Sequence, residues 1–130
     1  MFEAAFGYGL TDNAPVWTGI SAAARAAEWQ HGRQNELNQT QAGTGSLLLK
    51  DPDGDFDPRN TASPYYGNVK PGLPLRAYIA VGSTIYPLVW MFADRLPRTL
   101  SVAGTYAERQ IDMTDGYAAL AQAGLAGATY

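Results

Sequence analysis

The chain has 130 residues, 46% of them hydrophobic and only 16% charged, with a formal net charge of −3 and no cysteine. That length supports one hydrophobic core and is too short for two comfortable ones, so residues 1–130 are expected to form a single domain. The absence of cysteine excludes a disulfide framework and thiol-based metal or nucleophile chemistry, and fits assembly in a reducing cytoplasm.

Fourteen glycines and eight prolines punctuate short runs of Val, Ile, Tyr and Trp, the pattern of a mainly β chain with many turns. Phe2 to Phe6 reads as an opening strand, Gly7 to Pro15 as a loop, and Val16 to Ile20 as a second short strand. From Ser21 to Gln30 two signals compete. A serine before an alanine run is a helix start on propensity, while the small side chains of Ala24, Ala26 and Ala27 also suit a close-packed strand. Gln34 to Gln41 holds five Gln or Asn residues around Leu37 and reads as a loop or edge segment.

Thr44 to Lys50 reads as a strand. Asp51 to Pro74 then contains five prolines and five glycines or asparagines, too many breakers for a central strand, so this 24-residue stretch is expected to be a long loop. A connection of that length suggests function or an interface. Leu75, Ala77, Ile79 and Val81 alternate with Arg76, Tyr78 and Ala80, the period of a half-buried strand. Gly82-Ser83 is a hairpin turn into a partner strand from Thr84 to Met91. Tyr106 to Met113 alternates again, with Ala107, Arg109, Ile111 and Met113 on one side, although Arg109 spoils a clean apolar face. Thr114 or Asp115 can cap one short C-terminal helix with an apolar stripe of Tyr117, Leu120, Ala121 and Leu125, ended by Gly124 or Gly127.

No cluster of chemistry-bearing residues matches a known catalytic pattern. Asp51, Asp53, Asp55 and Asp57 fall at alternate positions and form the best candidate for Ca²⁺. Counted from Asp51, however, the places where an EF-hand loop needs Gly and a bidentate Glu hold Phe56 and Ala62. The competing reading is a solvated turn whose aspartates bond nearby backbone N–H groups. His31 is the single histidine, without a second His or a Cys to complete a transition-metal site. None of Ser21, Ser46, Ser63, Ser83 or Ser101 sits in a nucleophile elbow. Gly7-Tyr8-Gly9 and Gly43-Thr44-Gly45 lack the surroundings of a phosphate or dinucleotide loop. The expectation is a protein that is not an enzyme and needs no cofactor.

The nine basic residues are scattered singly, which leaves no footprint for a nucleic-acid backbone. The apolar stretch from Ile79 to Ala93 is broken by Gly82, Ser83, Thr84 and Pro87 and does not read as a membrane span. No basic-then-apolar leader opens the chain. The low charge density suggests that part of the uncharged surface is covered by neighbouring subunits.

Several short motifs occur in a fixed order: Ala5-Phe6-Gly7, Trp17-Thr18-Gly19-Ile20-Ser21, Gly32-Arg33, Ala42-Gly43-Thr44, Asp53 to Pro58 with Asn60, Ser63-Pro64-Tyr65-Tyr66-Gly67 and Pro71-Gly72. Tyr106-Ala107-Glu108 through Ile111 to Asp115 and Ala118 to Ala121 follow. In this order the chain resembles the N-terminal domain of hub-type minor tail proteins at the tail tip of long-tailed bacteriophages. The resemblance implies a strand from about Arg25 to Gln30 and a tail-tube-like β-barrel or sandwich with one flanking helix. It further implies a virion component of the tail tip or baseplate, assembled in the host cytoplasm into a ring of its own copies and contacting other tail proteins. A hub would be a trimer and a distal-tail ring a hexamer, with DNA passing through the lumen without sequence-specific contact. Arg33, Asp55, Phe56, Asn60, Pro64, Tyr65, Tyr66 and Gly67 are then the expected loop and interface residues. Hub proteins of this type usually run on for hundreds of residues, whereas this chain stops just after the helix. The alternative function is a Ca²⁺-assisted carbohydrate-binding β-sandwich that uses the tyrosines and the Asp-rich loop.

Overall fold

The structure, a computed structural model, describes residues 1–31, 42–97 and 108–118. Its strands are β1 (Phe2–Ala4), β2 (Thr18–Gly19), β3 (Ala24–Gln30), β4 (Thr44–Lys50), β5 (Pro74–Val81), β6 (Thr84–Arg95) and β7 (Glu108–Thr114), followed by a helical turn at 116–118. All lie in one antiparallel sheet of order β2-β1-β5-β6-β7-β4-β3. The mainly β expectation holds, but the barrel is not closed: among the described strands β2 and β3 are the two edges of the sheet rather than neighbours.

The competition between helix and strand at 21–30 resolves to a strand because tertiary burial outweighs propensity. Ala24, Ala27 and Trp29 pack against the core, and a shift in register between Ala24 and Ala26 accommodates Arg25 as an extra edge residue. The lost helix propensity of alanine is only about 0.5 kcal/mol per residue, less than the roughly 1.5–3 kcal/mol available from burying one large side chain. Trp29 lies over Gly45, its partner on β4, and meets Phe2 edge-on with ring centroids 6.5 Å apart. A Cβ at Gly45 would come within 2.9 Å of the Trp29 Cβ and 2.6 Å of the Glu28 carbonyl oxygen, so only glycine lets the two strands approach this closely.

One face of the sheet is apolar. Leu47 and Leu49 from β4, Leu75 from β5, Met91 and Ala93 from β6, and Ile111 and Met113 from β7 form its core. The second layer comes from the long loop, which folds back across this face and buries Phe56, Val69 and Leu73. Its backbone is tied to β6 where Gly72 N–H donates to the Ala93 carbonyl and Ala93 N–H donates to the Leu73 carbonyl. The loop is thus a structural layer built from turns, with glycines 54, 67 and 72 at positive φ where it reverses.

Arg109, which interrupts the apolar face of β7 in sequence, does point inward and is 9% exposed. The loop supplies its counter-charges. Arg109 Nη2 is 2.9 Å from Asp57 Oδ2, and Nε is 3.9 Å from Asp51 Oδ2. At the other end of β7, Asp115 closes the sheet: its Oδ2 accepts the Gly43 N–H at 2.6 Å, and its Oδ1 accepts the Tyr117 N–H at 3.1 Å, the capping role its sequence position suggests. Of the expected C-terminal helix, residues 119–130 lie outside the described residues.

Candidate assembly surface

The hairpin β5–β6 outruns its neighbours. β1 pairs with β5 only at Leu75, Arg76 and Ala77, and β7 pairs with β6 only at Phe92, Ala93 and Arg95. Between these limits the two strands pair with each other as an arm, turning at Gly82-Ser83 with Gly82 at φ +62°. No other described strand pairs with the arm from Ile79 to Met91. The sequence reading makes Leu75, Ala77, Ile79 and Val81 one buried face; in the structure burial stops at Ala77, and Ile79 and Val81 are exposed. The core ends before the strand does.

The arm therefore carries apolar side chains into solvent on both sides. Ile79, Val81, Ile85, Tyr86, Leu88 and Trp90 are each between 45% and 62% exposed. No charge interrupts the chain from Ala77 to Ala93. Protruding strands normally carry charges, prolines or bulges that discourage pairing with a second chain; this one carries no charge, and only Pro87 and the register shift beside Leu88 interrupt it. Cross-strand register places Ile79 opposite Tyr86 and Val81 opposite Thr84 on the face that continues the core. Tyr78, Ala80 and Ile85 lie on the opposite face.

At the base of that opposite face is a compact aromatic group. The Arg76 guanidinium carbon sits 4.3 Å from the Trp17 ring centroid and 5.8 Å from that of Tyr78. Trp17 meets Trp90 edge-on at 5.7 Å. Glu3 holds this group in place, accepting a hydrogen bond from Arg76 Nε at 2.5 Å and one from the Tyr78 hydroxyl at 3.4 Å. Arg76, Tyr78, Ile85, Pro87, Leu88 and Trp90 line a shallow cleft of about 250 Å³. Trp, Tyr and Arg are the residue types that dominate binding energy at protein interfaces.

Of the expected interface residues of the loop, Phe56 is buried, Asp55, Asn60 and Tyr65 are half-buried, and the rest of the described ones are exposed. Phe56 is buried and forms an aromatic stack with Phe6 and Tyr65, whose rings lie parallel at 3.9 Å. The Asp55 carbonyl accepts the Ser63 hydroxyl, and the Asn60 side chain donates to the Asp53 and Gly54 carbonyls, so these residues fold the loop on itself. Pro64, Tyr66 and Gly67 are exposed, and Arg33 lies outside the described residues. The sequence signal that marks the arm instead is the charge-free run from Ala77 to Ala93, which reads in isolation as an ordinary buried hairpin.

The four alternating aspartates do not converge. Asp51 and Asp57 face Arg109, Asp51 Oδ1 accepts the Phe56 N–H, and Asp57 Oδ1 accepts the Arg59 N–H. Among the described residues no group of at least three His, Cys, Asp or Glu side chains is placed to hold a metal ion. Burial pushes the Asp51 carboxyl above its ordinary value, partly offset by the Phe56 N–H and the Arg109 charge. The Ser21, Ser46 and Ser63 hydroxyls are engaged with Phe2, Glu28 and Asp55 respectively, and His31 is exposed at the end of β3.

Comparison with protein-family models, with curated proteins and with solved structures gives no match.

Proposed function

We propose that this protein is a structural component of the tail tip of a long-tailed bacteriophage, in which copies of the chain assemble into a ring joining the tail tube to the distal tip. The observation that carries the reading is the uncharged arm of β5 and β6, with apolar side chains bare on both faces. A lone soluble chain gains nothing from such an arm and risks aggregation through it. A subunit whose neighbours cover it gains the burial of six large side chains. The order of motifs from Ala5-Phe6-Gly7 to Ser63-Pro64-Tyr65-Tyr66-Gly67 supplies the tail-tip context.

The open sheet fits the same role. β3 is an edge strand from Ala24 to Gln30, so a barrel that one chain leaves open is completed when copies sit side by side about an axis. The outward face of β3, β4 and β7, with Glu28, Ser46, Gln110 and Asp112, is the polar surface assigned to the lumen, where carboxylates let DNA slide past without holding it. An assembled ring with that face turned to the outside would remove the lumen assignment.

The test is immunogold electron microscopy of purified, permeable virions from the source phage, using antibody raised against this chain. Label at the tail tip is expected. Particles that admit the antibody and carry no label at the tail would overturn the proposal.

A further inference from the structure

The chain holds two Asp–Pro bonds, Asp51–Pro52 and Asp57–Pro58, and both lie in the long loop. Such a bond is open to attack by its own side chain. The aspartyl carboxyl reaches the adjoining carbonyl carbon by closing a succinic anhydride ring, and the tertiary nitrogen of proline leaves as a basic secondary amine. We infer that the fold singles out Asp51–Pro52 for self-cleavage in mild acid, an activity that does not depend on the ring reading.

Both bonds sit in turns of the same form. Gly54 N–H donates to the Asp51 carbonyl at 3.3 Å and Asn60 N–H to the Asp57 carbonyl at 3.0 Å, so each carbonyl oxygen has a donor for the charge of a tetrahedral intermediate. The side chains differ. Asp57 Oδ2 lies 2.9 Å from Arg109 Nη2 and its Oδ1 accepts the Arg59 N–H, so that carboxylate must leave an ion pair before it can turn on its own carbonyl. Asp51 is 3% exposed, and its Oδ2 stands 3.9 Å from Arg109 Nε, beyond hydrogen-bond reach. The charged groups facing Asp51 are Arg109 from β7 and Asp55 within the loop, and burial outweighs the Arg109 charge in setting its proton affinity. Its carboxyl therefore keeps a proton at a pH where an ordinary aspartate has lost it, and the reaction uses that proton. The Asp51 carboxyl oxygen bonds to the Asp51 carbonyl carbon, the C–N bond to Pro52 breaks, and the carboxyl proton passes to the proline nitrogen. One water then opens the anhydride, leaving Asp51 as a C-terminal residue with two carboxyls and Pro52 as a free amine. The halves stay together, because β1 remains paired with β5 and β4 with β7. The nick detaches the loop from β4.

Intact-mass spectrometry tests this on the unmodified protein, incubated at the lowest pH at which far-ultraviolet circular dichroism shows the sheet intact. Fragments 1–51 and 52–130 are expected, formed roughly tenfold faster than fragments 1–57 and 58–130. The same chain unfolded in urea at that pH supplies the reference, and there the two bonds should break at similar rates. Asp51→Asn, which has no carboxyl to attack, should lose the first cut while staying folded. A folded chain that remains whole, or is cut equally at the two bonds or first at Asp57–Pro58, would overturn the inference. So would a first cut that persists in Asp51→Asn or that dominates equally in urea, since neither would then come from this carboxyl in this fold.

Discussion

Arg109 Nη2 and Asp57 Oδ2 lie 2.9 Å apart, joining β7 of the sheet to the turn-rich loop that covers it. Asp51 stands on the other side of the same guanidinium, with its Oδ2 3.9 Å from Nε. One buried cation thus organises the start of the loop, and two of the four aspartates that resemble a metal ladder in sequence, Asp51 and Asp57, are its counter-charges.

Removing that cation should be costly. Arg109→Ala leaves two carboxylates without their shared partner, at a cost of about 3–5 kcal/mol. The combined change Arg109→Met, Asp51→Asn, Asp57→Asn removes charge from both sides and should recover most of the loss. Urea unfolding of the parent, the single variant and the triple variant measures this; equal stability of the single variant and the parent would show that the pair does not hold the loop.

The pH dependence of Asp51 has a sign opposite to that of an ordinary ion-paired carboxylate. Its folded-state pKa is raised above 3.8, chiefly by burial. The folded chain therefore binds this proton more tightly than the unfolded one. The resulting stabilisation is fully present below the unfolded pKa and is lost as pH rises through the folded value. Asp51→Asn, which keeps an acceptor for the Phe56 N–H, should match the parent in acid and gain stability relative to it as pH rises through the folded pKa towards neutrality. Melting curves of both proteins across that range give the difference, and a gain in the reverse direction would contradict the burial argument.

Within the loop, inward and outward aromatic residues should behave differently. Phe56→Ala removes a buried ring from the stack with Phe6 and Tyr65 and should cost about 3–5 kcal/mol. Tyr66→Ala alters an exposed residue and should stay within about 0.5 kcal/mol in stability. Chemical denaturation of the two variants separates the cases.

Glycine is required at two loop boundaries for different reasons. A Cβ at Gly43 would sit 2.7 Å from Asp115 Oδ2 and 3.0 Å from the Gln30 carbonyl oxygen, while Gly67 has open space but φ of +79°. Replacing either with Val should destabilise by more than about 1 kcal/mol, through crowding at Gly43 and backbone strain at Gly67. Asn at Gly67, which tolerates positive φ, should restore much of the stability there but not at Gly43.

Much of the fold is legible along the chain because its signals are local. The Gly82-Ser83 turn, the alternation of β7 and the strand from Thr44 to Lys50 each follow from the residues present. The strand at 24–30 is ambiguous in the residues alone, since Ser21 and the alanine run favour a helix until Trp29 finds its place over Gly45. The partner of Arg109 is invisible in sequence because Asp51 and Asp57 meet it only through the topology. Burial also misleads at the arm: Ile79 and Val81 keep the alternation of a core strand after the sheet that would cover them has ended. The inward packing of Phe56 onto Phe6 and Tyr65 is likewise invisible in sequence, because breakers cluster around it and mark the stretch only as a loop.

The central claim is that the bare arm holds copies of this chain together, and sedimentation equilibrium tests it most directly. The unmodified protein should sediment as one closed multimer of fixed size. Ile79→Lys with Ile85→Lys, which places a charge on each face of the arm outside the core, should sediment as a monomer with unchanged far-ultraviolet circular dichroism. A monomeric parent, or a double variant that assembles as well as the parent, would contradict the account.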